Sequence, residues 1–137
     1  MATYNFGIDK SFTAAINLSG SQYQFVKAGS VAGEVTLNGT DGGSCLGVLQ
    51  NDPLAGDEAV VRVFGFSKVK ANTESGASPL NYASFIKSGS DGRARGYVTP
   101  TAGSAFVQGV FMDAAYTTGS GTVVEVFLTF PYRYGSV

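Results

Sequence analysis

The chain has 137 residues, nine of them basic and ten acidic, a net charge of −1 and no histidine or tryptophan; that length suits one domain and is too short for two. A charged fraction of 14%, against about 25% in an average soluble domain, leaves no basic footprint for phosphate backbones, so nucleic acid is not expected as a direct ligand. No apolar run approaches the roughly 20 residues that a membrane span needs, so no membrane association is expected either.

The first residues, "MATYNFGIDK", lack the basic flank and apolar stretch of a signal peptide, and synthesis in a cytosol without general secretory export is the expectation. In "SFTAAINL", Phe12, Ala14, Ile16 and Leu18 alternate with Thr13, Ala15 and Asn17, the period-2 pattern of a strand half buried against a core. Tyr23 and Phe25 in "SQYQF" and Val35 and Leu37 in "GEVTLNG" belong to similar short β-rich runs. Asn38-Gly39 and Asp41-Gly42 supply the positive φ that tight turns demand. Cys45, the only cysteine, excludes an internal disulfide and reads as a buried, inert thiol in a strand with no basic neighbour.

The stretch "GVLQNDPLAGDEAVVRVFG", Gly47 to Gly65, reads as strand, turn, strand. In "SPLNYASFIK", Ser78 and Pro79 suit a helix start, but Phe85 and Ile86 stand directly before Asp91-Gly92. A loop leading into a hairpin that turns near Asp91 is therefore the reading for "ASFIKSGSDGRARGYVT".

A second strand, turn, strand follows in "GVFMDAAYTTGSGTVVEVFL", Gly109 to Leu128, and it matches the first with a single one-residue adjustment in the loop. Val61 and Val63, and Val124 and Val126, would face one side, with Arg62 and Glu125 in corresponding positions on the other. Two equivalent hairpins closing opposite sides of a small barrel would explain the repeat. Strands favour Val and turns favour Gly and Asp in any β domain, however, so the likeness alone leaves ordinary composition as an alternative.

The expected fold is all-β: a small barrel or sandwich of roughly eight to ten short antiparallel strands, with two similar hairpins. Residues 1–137 form a single domain in this reading, with 1–11 as an N-terminal arm and 131–137 as a C-terminal tail.

Chemistry is conspicuous by its missing residue types. Without histidine there is no Ser-His-Asp arrangement and no imidazole metal site, and one cysteine cannot build a zinc site. The carboxylates fall mostly at turns, where Asp bonds its own backbone. Asp52, Asp57 and Glu58 share one loop but lack the Asp-x-Asp-x-Asp-Gly spacing of a calcium loop. The glycine-rich "NGTDGGSCLG" and "TTGSGT" lack the phosphate-loop pattern. No catalytic residue, cofactor or metal is expected, and the chain is not read as an enzyme. Tyr4, Phe6, Tyr132 and Tyr134 cluster at the two ends outside the strand pattern; such rings either anchor a partner or cover the open ends of a barrel.

Taken in order, Gly47-Val48, Ala55-Gly56-Asp57, Val60 to Gly65, Asp91-Gly92, Gly109-Val110 and Val124 to Leu128 resemble the pattern of the capsid decoration proteins, or cement proteins, of tailed bacteriophages. The match runs from about Gly29 to Leu128 and leaves out the first residues and the tail "PYRYGSV". The resemblance implies a virion structural protein, made in the host cytoplasm and placed on the outer surface of the capsid. There it would bridge major capsid protein subunits as a homotrimer and need no cofactor. A carbohydrate-binding or host-adhesion β module is the alternative. Seven tyrosines but no tryptophan make a poor set of exposed platforms for it.

Overall fold

The computed structural model describes residues 6–72, 80–97, 105–114 and 120–134. Nine strands lie among the described residues: β1 (Gly7–Ala14), β2 (Phe25–Ala28), β3 (Glu34–Leu37), β4 (Gly47–Leu49), β5 (Glu58–Asn72), β6 (Phe85–Ser88), β7 (Ala94–Gly96), β8 (Ala105–Phe111) and β9 (Ser120–Tyr134). Their order is β1-β3-β2-β4-β5-β7-β6-β8-β9, with β1–β5 and β5–β9 pairings in addition. Those two extra pairings close two circuits. One runs through β1, β3, β2, β4 and β5, the other through β5, β7, β6, β8 and β9, and β5 belongs to both.

The all-β barrel expectation holds in this form, with two differences. The β1–β3 and β5–β7 pairings are parallel, and β5 and β9 are long, 15 residues each. Length lets one strand serve two circuits: the first half of β5 pairs with β1 and β4, and its second half pairs with β9. Gly65 stands at the changeover with φ +101. A Cβ there would collide with the Phe6 carbonyl oxygen, so the residue meets both demands that single out glycine, a left-handed backbone and a close approach.

Each circuit has its own core. Ala14, Leu18, Val26, Val35, Leu49, Ala59 and Val61 fill the first, with Phe12, Leu37 and Val63 packed against them. Phe25, Val48, Val69, Ile86, Phe111, Val126 and their neighbours fill the second. Strands β2 and β4 lie between the two, because alternate residues turn to opposite faces: Phe25 and Val48 join the second core, Val26 and Leu49 the first. Each such Val, Leu or Phe contributes roughly 1.5–3 kcal/mol through burial.

The three expected hairpins are present. Val48 pairs with Arg62 and Leu49 with Val61, Ser88 pairs with Ala94 across the Asp91 turn, and Gly109 pairs with Leu128. A turn at residues 82–83 and strand β6 occupy the segment read as a loop into a strand. The first and third hairpins do not share a register, however. The sequence match aligns Arg62 with Glu125, yet Val48 faces Arg62 while Val110 faces Phe127. What they share is a glycine at a crossing point, since a Cβ on Gly47 would strike the Arg62 carbonyl oxygen and one on Gly109 the Phe127 carbonyl oxygen.

The ends of the chain depart from the arm and tail boundaries. Residues 7–11 of the expected arm are part of β1 and pair with β5 from Gly7↔Gly65 onward. Residues 131–134 of the expected tail are part of β9 and pair with β8 through Val107↔Tyr132 and Ala105↔Tyr134. A proline ordinarily ends a central strand; here Pro131 falls where the β8–β9 register shifts between Val107 and Gly109, a bulge that needs no ladder bond from it. The run "SFTAAINL" is strand only to Ala14, after which Ile16 is exposed and Leu18 is returned to the core by the following turn. Residues 1–5 and 135–137 lie outside those described.

Candidate protein-binding face

Burial alternates along β5 and β9 as a half-buried strand requires: Val61, Ser67, Val69, Val124, Val126 and Leu128 are inside. On the opposite face an ordinary domain places polar side chains, and Arg62, Lys68 and Glu125 conform. Phe64, Phe66 and Phe127, which share that face by parity, do not. Their rings pack edge to face, Phe64 on Phe127 with centroids 5.5 Å apart and Phe66 on Phe127 at 5.0 Å. Phe130 stacks on Phe64 at 5.5 Å. None of these four rings belongs to either buried core.

Two bulges complete the face. The shift at Pro131 places Phe130 outward beside Phe64, where it is 73% exposed. The register shift between Ile8 and Asp9 leaves both of these neighbours exposed, Ile8 opposite Phe64 in the ladder and 51% exposed, Asp9 on Arg62. Bulges of this kind re-aim side chains. Large apolar residues contiguous on a surface are the informative case, because isolated exposed ones need no explanation.

The Arg62 guanidinium meets Asp9 two-pronged, Nε donating at 2.7 Å and Nη2 at 3.0 Å, while Nη1 donates to the Phe66 carbonyl at 2.9 Å. The hydrogen bond from Asp9 holds Arg62 above its ordinary pKa against the opposing effect of burial. Such a fork fixes geometry as well as charge, and here it pins β1 to β5 at the border of the aromatic face.

Of the four rings singled out from the sequence, Phe6 is 54% exposed and its carbonyl accepts from the Phe66 backbone N–H at 2.7 Å, which sets it beside this face. Tyr4 lies outside the described residues. Tyr132 and Tyr134 stand in β9 and not beyond the strands; their side chains are likewise outside what is described. Sequence reasoning missed Phe64, Phe66, Phe127 and Phe130. Parity held the signal for the first three, since a face that carries Arg62 and Glu125 also carries every second residue after them.

The carboxylates weighed for calcium are engaged elsewhere. Asp52 Oδ1 accepts from the backbone N–H groups of Gly20 and Gln22, Asp57 Oδ2 from that of Leu54, and Glu58 Oε1 from the Ser11 hydroxyl. These are turn and cross-strand ties. Cys45 is buried, its thiol donates to the Gly43 carbonyl at 3.6 Å, and burial pushes its pKa up to about 12. A thiol so far from ionisation is no nucleophile at neutral pH.

No protein-family model matches the chain, and no curated protein matches it. Among solved structures it is similar to the N base of the head fiber gp8.5 of bacteriophage phi29, with a TM-score of 0.62 over 92% of this chain and 97% of that one. The two share a fold. Their sequences are 17% identical, so the likeness reaches the arrangement of strands and stops there.

Proposed function

We propose that the chain is a structural protein of a bacteriophage virion, one that sits on the exterior of the capsid and stabilises it by bridging major capsid protein subunits. The observation that carries this reading is the aromatic face on which the exposed Ile8 and Phe130 adjoin the half-buried rings of Phe64, Phe66 and Phe127, an apolar surface on the outside of a chain with few charges. The shared fold with a head fiber base supports the setting. The order of glycine turns and valine strands that resembles decoration proteins supports the role.

Aromatic rings bring large contact area at low entropic cost and dominate the energetics of interfaces. Three copies acting together would add avidity to modest single contacts, and a protein that binds only the assembled shell stabilises it by mass action. A homotrimer is therefore the oligomer proposed, with no catalytic role, cofactor or nucleic-acid partner.

The test is cosedimentation with undecorated shells of the parent phage. Phe130→Ser should weaken binding at least about tenfold, as for an interface anchor, while shifting the stability of the isolated domain by at most about 1 kcal/mol. Tyr82→Ser, at a ring 68% exposed in the turn before β6, should bind as the parent does. Equal binding by the Phe130 and Tyr82 variants would contradict the reading.

A further inference from the structure

Beside the aromatic face, where β5 meets β9 and the end of β4, Tyr23, Gln50, Arg62, Phe66, Lys68 and Glu125 enclose a pocket of about 220 Å³, with the buried Ser67 also in its lining. Part of its wall is held in place. Arg62 is held by Asp9 and by the Phe66 carbonyl, and Gln50 Nε2 donates to the Val48 carbonyl and to Ser67 Oγ, both at 3.0 Å. Tyr23 sits at φ +65, a left-handed conformation that a tyrosine keeps only when its surroundings impose it. Two backbone bonds do so: Tyr23 N–H to the Leu49 carbonyl and Lys70 N–H to the Tyr23 carbonyl, both 2.7 Å.

The pocket brings several polar groups without protein partners together in one place. Lys68 and Glu125 stand directly opposite in the β5–β9 ladder, yet they form no ion pair, the described ion pairs being those of Arg62 with Asp9 and of Lys87 and Arg95 with Asp41. Among the described residues the Lys68 ammonium, the Glu125 carboxylate, the Tyr23 hydroxyl and the Gln50 amide oxygen have no hydrogen-bond partner. Of the other described carboxylates, Glu34 likewise has no partner, while those of Asp9, Asp41, Asp52, Asp57, Glu58, Asp91 and Asp113 are engaged. Two acceptors and two donors therefore converge on one cavity beside two aromatic rings.

The charges identify the ligand class. Asp9 cancels Arg62, and Lys68 and Glu125 cancel each other, so the pocket is neutral as a whole and gives an ion no net attraction. A carboxylate and an amide oxygen accept from hydroxyls, an ammonium and a phenol donate to them, and rings of Tyr23 and Phe66 offer apolar surface to C–H groups. The volume lies below the about 300–1,000 Å³ of pockets for drug-sized molecules, which suits one ring and not a chain of them. We infer that this pocket binds a single neutral sugar ring in the free protein, since it borders the face, Phe66 included, that is proposed to meet the shell.

The test is a ¹H–¹⁵N NMR titration of the labelled protein with methyl glucoside, methyl galactoside and N-acetylglucosamine, with N-acetylneuraminic acid and glycerol as comparators. Saturable shifts at the amides of Tyr23, Gln50, Ser67 and Glu125 with at least one neutral sugar are expected. Glu125→Gln and Lys68→Ala should each weaken that binding about tenfold, as the loss of a charge-assisted hydrogen bond does. Both variants should melt with the parent, and the titration is run on the free protein without shells, so its outcome is read independently of the proposed shell role. Absence of shifts with all three neutral sugars, equal affinity in the variants, or preference for the acidic sugar would overturn it.

Discussion

Asp91, at the turn between β6 and β7, has both carboxylate oxygens committed: Oδ2 accepts from the Asn72 amide at 2.6 Å and Oδ1 from the Arg93 backbone N–H at 3.1 Å. Burial by itself would push its pKa up, but those two hydrogen bonds and the charge of Arg95 outweigh it and hold the group below the ordinary carboxylate value. A carboxyl lowered on folding adds stability that is complete above its unfolded pKa, about 3.9, and that is lost as pH falls through the folded value. Asp91→Asn should therefore be less stable than the parent at neutral pH, and the gap should shrink below about pH 4. Urea midpoints measured across that range check it, and a gap independent of pH would show that the carboxylate charge contributes nothing. The turn itself was legible in Asp91-Gly92. The tie to Asn72 was not, because it joins residues that only the closure of the second circuit brings together.

At the scale of elements, the glycines that open the two similar hairpins carry the clearest consequence. Gly109→Ala would drive a methyl group into the Phe127 carbonyl oxygen, and a crowded, well-packed site of this kind costs about 1–3 kcal/mol. Gly39→Ala, where an added Cβ meets nothing within 4 Å, should be neutral or stabilising by up to about 1 kcal/mol; thermal melts of the two variants give the contrast. Hairpins were readable because Gly-Val starts, polar turns and Val-rich returns are local signals. The continuation of β9 past Pro131 was hidden because a bulge excuses the proline from the ladder, and the start of β1 at Gly7 was hidden because its support is the distant Gly65. The parallel β1–β3 and β5–β7 pairings likewise join segments that no local pattern connects. Reading parity beyond the valines would have placed Phe64, Phe66 and Phe127 on the face of Arg62 and Glu125, whereas Phe130 breaks parity at the bulge and had no such signal.

Across the described residues, two circuits sharing β5 bury two packed cores and leave a cluster of aromatic rings on the outward side of β5 and β9. The proposed role rests on that asymmetry: two packed cores hold a cluster of aromatic rings that, on this reading, a shell subunit would cover. Chain composition pointed the same way through its low charge, but only the fold locates the face, since Ile8, Phe64 and Phe130 come from three separate strands. The account is tested most directly by electron microscopy of the native particle at side-chain resolution. It predicts density for this protein on the outer capsid surface, three copies about each three-fold position, with Phe64, Phe127 and Phe130 pressed against a major capsid protein. Particles that lack the protein, or that carry it with those rings facing solvent, would contradict it.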